Sequence, residues 1–294
     1  MTLSLPSIVC GQVWSQVTLP RYESLLTFVT DTAAVWHPKE FKYKEEYLRW
    51  AFSTIISRAW EFGGAPSLVP VADMVNHAQG NTNLVRSHQG GWDDGSYYFK
   101  LERDLFEGEQ FFQSYDDGSI PGTHGAKCDH QLLSDYGFLP GPETLEESAT
   151  CVPLSLSLQM EAFPAWKQFL FQQSGVIGAQ TGILQGGAPS KVTMATIRLA
   201  LLDEEPSESD TPPAERFLEA VSPLNELQSL SQLSKMIKLV LDRQSSSVAG
   251  DVRALQDPEL STNARLAFRY RVRERRTLQM ALDEIKSRKK SIHF

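Results

Sequence analysis

The chain has 294 residues, 41% of them hydrophobic and 22% charged, with a formal net charge of -8. That length allows one large domain or two ordinary ones, and the composition is that of a soluble globular protein. An acidic chain does not draw nucleic acid through its overall field, no apolar run is long enough to span a bilayer, and three cysteines (Cys10, Cys128, Cys151) argue against a disulfide scaffold and suit a reducing compartment.

No basic residue precedes Arg21, so the N-terminus is a poor signal or transit peptide. Residues 1–40 mix short apolar runs with Pro6, Pro20 and Pro38, and Tyr22 to Val29 has helical character. Residues 41–62 are clearer. Tyr47, Leu48, Ala51, Phe52, Ile55, Ile56, Ala59 and Trp60 recur at helical spacing and form one apolar stripe, which Gly63-Gly64 and Pro66 stop. Arg58 sits near the end of that helix, where a cation compensates the helix dipole. Residues 67–120 read as strands and turns. Leu68 to Val75 is an apolar run, Tyr97 to Leu101 and Gln110 to Tyr115 are β-prone, and Glu107-Gly108-Glu109 is a turn. Asp129 to Asp135 is a short helix ending at Tyr136-Gly137-Phe138.

From Glu143 onward the pattern is helical. Leu154 to Ser174 is interrupted by Pro164, and Lys191 to Leu202 is a second helix. Asp203 to Pro213 is acidic and rich in Ser and Pro, hence a loop. Leu224 to Arg243 and Leu260 to Arg288 are long helices joined near Ser245 to Gly250. A domain boundary falls near Glu147. No internal repeat occurs at a fixed period.

The chain has no GxSxG elbow, P-loop, HExxH or paired CxxC. His124, Cys128 and His130 lie close together, but zinc needs a fourth ligand and regular spacing, and neither is evident, so no metal is expected. Asn76-His77, which closes the apolar run, is a stronger candidate for chemistry. On spacing alone it reads as a turn. Arg269, Arg271, Arg273, Arg275 and Arg276 form a basic cluster. It reads as a solvated helix face, with docking of an acidic protein as the alternative.

The segment Val69-Pro70-Val71-Ala72-Asp73-Met74-Val75-Asn76-His77, together with Asp135-Tyr136-Gly137-Phe138, resembles the two signature segments of SET-domain methyltransferases. The branch it is most similar to is typified by the Rubisco large-subunit lysine methyltransferase. The resemblance implies an α+β fold: a partial SET-type β-rich core with inserted helices over 1–147, then an all-helical substrate-binding domain over 148–294. It implies that Asn76 and His77 hold S-adenosylmethionine where two backbone segments cross, that Asp73 fixes the loop, and that Arg58, Tyr136, Gly137 and Phe138 contact the cofactor. Tyr136 becomes the catalytic tyrosine and Tyr115 a wall of the lysine channel. Where the family has a Ser-Asn pair, this chain has Cys128 and Asp129, and Asp129 retains the capacity to cap a helix.

The implied activity is S-adenosylmethionine-dependent methylation of a protein lysine. The expected partner is a protein substrate, without nucleic acid or membrane, and the chain is expected to act as a monomer. The compartment stays open between chloroplast and cytoplasm or nucleus. The family's Gly-rich first segment has no counterpart in residues 1–40, which suggests either a truncated product or a protein that kept only binding. The alternatives are therefore a non-catalytic SET-like binding module and a histidine-directed methyltransferase of the same branch.

Overall fold

Helix starts in the C-terminal half are written in serine. Ser190, Ser222, Ser247 and Ser261 each precede a helix in extended backbone and accept a hydrogen bond from the N–H three residues on: Thr193, Asn225, Gly250 and Ala264. Each cap satisfies a donor that the first helical turn leaves without a partner, worth about 1 kcal/mol. The computed structural model describes residues 45–62, 65–69, 72–77, 84–86, 99–101, 103–113, 127–140, 149, 151–156, 158–177, 179, 181–205, 213–244 and 246–292. The expected helix at Tyr22 to Val29 lies outside the described residues.

The described residues fall into two compact units. One draws on Val13–Asp116 and Ser134–Pro140, the other on Asp117–Leu133 and Gly141–Phe294. In the first, helix α1 (Glu45–Arg58) is followed by an antiparallel pair, β1 (Trp60–Phe62) and β2 (Ala65–Ser67). The helix therefore stops short of Trp60, which opens β1 instead of extending the apolar stripe. A 3₁₀ turn at Ala72–Met74 leads into β3 (Asn76–His77). Strands β4 (Leu84–Arg86) and β5 (Phe99–Leu101) pair antiparallel, and β6 (Phe112–Gln113) pairs parallel with β3. Within the apolar run Leu68 to Val75, Ala72–Met74 thus form a turn and not a strand.

The chain then enters α2 (Asp129–Gln131), which widens into a π-helical turn at Leu132–Tyr136. In the second unit, β7 (Cys151–Pro153) precedes α3 (Ala165–Gln173) and pairs antiparallel with β8 (Gly182–Leu184). This ribbon is a correction to the all-helical expectation. Its strands are three residues long, too short to show an alternating pattern. Then come α4 (Lys191–Ala200), α5 (Pro213–Arg216), α6 (Pro223–Asp242), α7 (Val248–Ala254) and α8 (Thr262–Ser291). The segment read as a Ser/Gly joint contains the start of α7.

Two hydrophobic cores share α4. Met194 and Ile197 pack with Val152, Ile183, Leu230, Leu233, Ile237 and Leu278. Ala195 and Leu199 face Phe163, Phe171 and Phe217. A helix serving two cores is apolar around most of its circumference, and Thr193 through Ala200 are all buried. Each fully buried Leu or Ile contributes roughly 2 kcal/mol.

Three of the five arginines in the basic cluster of α8 are held in ion pairs instead of forming a solvated face. Arg273 pairs with Asp129 (2.9 Å), while Arg271 and Arg275 pair with Asp251 (2.6 and 3.2 Å). Arg273 and Arg275 are buried. Glu226 on α6 likewise bridges Arg198 of α4 and Arg288 of α8, each at 2.7 Å. Buried charges survive only when paired and hydrogen-bonded, so these arginines were recruited inward by partners distant in sequence.

Cys128 and Cys151 are joined by a disulfide, with Cα atoms 4.9 Å apart, so the expectation of reduced cysteines is corrected. Counting cysteines gave no view of which two the fold brings within bridging distance. No described helix is long and apolar enough to cross a membrane.

Two outcomes follow. Gly187 has φ 90°, and a Cβ there would lie 2.6 Å from the backbone of Met280 and Ala281 in α8. Gly187→Ala is expected to lose roughly 2–4 kcal/mol in urea unfolding, from strained backbone and overpacking together. Burial pushes the Glu274 carboxyl up to about 7, with Tyr270 and Gln244 as hydrogen-bond partners. The folded state then holds this proton more tightly than the unfolded chain, so its contribution is full below the ordinary carboxyl range and is lost as pH rises through about 7. Melting temperatures from pH 4 to 8 are expected to show a smaller loss toward high pH in Glu274→Gln than in the parent.

Candidate functional site

The end of α1 fixes the loop that precedes Asn76. Arg58 Nη1 donates to the carbonyl of Asp73 at 3.0 Å. The Asp73 N–H donates to Val69 O (3.0 Å), and the Val75 N–H to Ala72 O (3.2 Å). Asp73 therefore steadies the loop through its backbone. The 3₁₀ turn delivers Asn76 and His77 in extended form alongside Phe112 and Gln113. Asn76 is exposed and His77 half-buried.

The approach to β6 is also built. Arg103 forms a two-pronged ion pair with Glu109, and Glu109 Oε2 accepts from the Phe106 N–H (3.1 Å). The bond from Arg103, followed by that from Phe106, holds the Glu109 carboxyl below its ordinary range. Gly108 sits at φ 85° inside this turn, as the Glu107-Gly108-Glu109 reading requires.

The second segment arrives through the π-helical turn. π-helical turns are rare and recur at functional sites. Gly137 ends this one at φ 76°, a conformation that L side chains avoid. The reversal sets Phe138 against His77, ring centroids 5.7 Å apart and tilted by 41°. Tyr136 lies 6.3 Å from Phe138 at 57°. The structure thus gathers His77, Tyr136 and Phe138 into one aromatic corner, with Asn76 adjoining and Arg58 tied to the same loop. Tyr115 lies outside the described residues.

Asp129 does not cap its helix. It is fully buried and pairs with Arg273, while Cys128 holds the N-cap position and its N–H donates to Gln131 Oε1 (3.0 Å). Cys128-x-x-Gln131 has the spacing of a capping box with Cys where Ser is usual, a signal the sequence reading passed over. Burial also pushes His130 down to about 4. Cys128, taken up by the disulfide, offers no thiolate to a metal, and His124 lies outside the described residues. Among the described residues no group of three or more His, Cys, Asp or Glu is arranged to hold a metal ion.

Comparisons with known proteins bear on the fold. Residues 159–278 match the family described as Rubisco LSMT substrate-binding. The structure of the SET domain of LSMT bound to MeLysine and AdoHcy superposes with a TM-score of 0.59 at 20% identity, over 96% of this chain and 61% of that one. The chain shares the fold of Rubisco LSMT. Rubisco LSMT bound to AdoMet gives a TM-score of 0.58 at 20% identity, again over 96% and 61%. Rubisco LSMT bound to sinefungin and monomethyllysine gives 0.59 at 21%, over the same shares. The chain therefore spans about three fifths of the length of these LSMT structures. No curated protein matches it in sequence.

Gly137 offers a local check on the corner. A Cβ there would meet nothing within 4 Å, so only the backbone conformation resists substitution. Gly137→Ala is expected to lower stability by about 1 kcal/mol, and Gly137→Asn by less, because Asn tolerates positive φ. Chemical denaturation of both variants measures the difference.

Proposed function

We propose that this chain is an S-adenosylmethionine-dependent protein-lysine N-methyltransferase. The observation that carries the reading is the contact between His77 and Phe138, which joins the two segments that resemble SET signatures inside a fold shared with Rubisco LSMT. On this reading residues 1–147 are the partial SET region. Residues 148–294 are the substrate-binding domain, in keeping with the family match over 159–278.

The residues suit the cofactor. S-adenosylmethionine carries a positive sulfonium, and aromatic faces attract cations. His77, Tyr136 and Phe138 supply such faces, and the exposed amide of Asn76 supplies both a donor and an acceptor. When bound, the cofactor supplies an activated methyl group. Arg58 and Asp73 keep the Asn76 loop in register, and Gly137 turns the chain so that Tyr136 and Phe138 flank the corner. A lysine must arrive as the neutral amine, because the ammonium has no lone pair, and an apolar channel favours that form by desolvation. Tyr115 is a proposed wall of that channel. The Tyr136 hydroxyl is proposed to accept from the amine and aim its lone pair at the methyl carbon. Such alignment supplies much of the acceleration in a reaction that needs no further bond-making by the protein.

Calorimetric titration with S-adenosylmethionine tests the cofactor site. The parent is expected to bind and Asn76→Ala to bind at least tenfold more weakly, a loss of about 1.4 kcal/mol. Tyr136→Phe is expected to retain binding and lose on the order of 100-fold in methyl transfer to a lysine-bearing protein, the scale of removing one oriented hydroxyl. No binding by the parent sinks the proposal.

A further inference from the structure

Two cysteines bracket the segment that carries Tyr136 and Phe138. Cys128 stands at the N-cap of α2, and Cys151 opens β7, 23 residues on. The disulfide between them closes the intervening chain into a covalent loop, and Asp135-Tyr136-Gly137-Phe138 lies inside it. The helix at the start of that loop is weak by itself. α2 is a single turn, Asp129–Gln131, and a lone turn fixes several backbone dihedrals for one hydrogen bond. It runs straight into the π-helical turn at Leu132–Tyr136, so fraying at Cys128 passes along the chain to Tyr136. Two contacts to α8 also hold the ends of the loop. Asp129 pairs with Arg273 at 2.9 Å, and one turn further along α8 Thr277 Oγ1 accepts from the Ala149 N–H at 2.8 Å. Cys128 and Cys151 are fully buried, with Leu184 packed against them. Breaking the disulfide therefore leaves the ends tied to α8, and what is lost is the tether at the N-cap residue.

We propose that Cys128 and Cys151 form a redox latch on the loop carrying Tyr136 and Phe138: the disulfide orders the loop, and its reduction by a dithiol loosens it. In the reducing step a thiolate of the dithiol attacks one sulfur, and the other cysteine leaves as a thiolate and takes up a proton. The second thiolate of the dithiol then displaces the first cysteine, which is protonated in turn. Two electrons pass to the protein, and the dithiol becomes a disulfide. Burial of both cysteines keeps a reductant out until α2 opens, and a one-turn helix belongs to the least stable part of a fold. The effect on the order of the loop is independent of the proposed function. Its consequence, weaker S-adenosylmethionine binding in the reduced form, rests on that function.

Hydrogen–deuterium exchange of the full chain, equilibrated with oxidised glutathione or with dithiothreitol, tests the latch. Mass mapping of alkylated peptides follows the state of Cys128 and Cys151. Amides from Leu132 to Phe138 are expected to exchange roughly fivefold faster after reduction, and those in the middle of α6 to stay unchanged. Cys151→Ser and Cys151→Ala, which leave the N-cap residue in place, are expected to exchange at the faster rate with or without dithiothreitol. Melting curves check that both variants stay folded. Calorimetry is expected to show S-adenosylmethionine binding about fivefold weaker in the reduced chain and in both variants. Free thiols at Cys128 and Cys151 under oxidised glutathione, a bond that dithiothreitol opens only by unfolding the chain, or equal exchange in the two states overturns the proposal. Exchange that responds to reduction while neither state binds S-adenosylmethionine supports the latch and overturns the proposed function instead.

Discussion

The proposed function hangs on one close approach: the ring of His77 against the ring of Phe138. Neither residue reaches that position by itself. His77 is delivered by a 3₁₀ turn whose backbone Arg58 holds, and it is kept extended by pairing with Phe112 and Gln113. Phe138 is delivered by a π-helical turn and the positive φ of Gly137. Two-residue strands have almost no stability of their own. The corner is therefore maintained by many small constraints acting together, and local changes well away from the rings are able to shift it.

The second unit is held in a different way. Its two apolar cores share α4, and the charges that cross them are neutralised in place. Glu226 binds arginines from two helices, and Asp251 of α7 binds two arginines of α8. Such sites stabilise little relative to an apolar replacement, yet removing one partner strands the other. They specify which helix faces which. Residues 159–278 of this unit match the family described as Rubisco LSMT substrate-binding, and in general a preorganised surface loses less entropy on binding.

Much of this was legible in the residues. The resemblance carried by Val69 to His77 and Asp135 to Phe138 implied two segments meeting, and the long helices follow their apolar spacing. Gly108 and Gly137 are glycines where the backbone needs positive φ. What escaped depends on partners distant in sequence. Arg273 and Arg275 look like surface charge until Asp129 and Asp251 are brought to them. Cys128 looks like a free thiol until β7 brings Cys151 beside it. The ribbon of β7 and β8 is too short to announce itself, and the π-helical turn has no residue pattern that separates it from an α-helix. The apolar run ahead of Asn76 makes a turn at Ala72–Met74 that buries Ala72 and leaves Met74 exposed.

Ultraviolet cross-linking of methyl-labelled S-adenosylmethionine, followed by peptide mapping, tests the shared corner most directly. Label is expected on peptides containing His77 or Tyr136 to Phe138, and excess S-adenosylhomocysteine is expected to abolish it. Label confined to other peptides, or insensitive to that competitor, contradicts the idea that these two segments build one cofactor site.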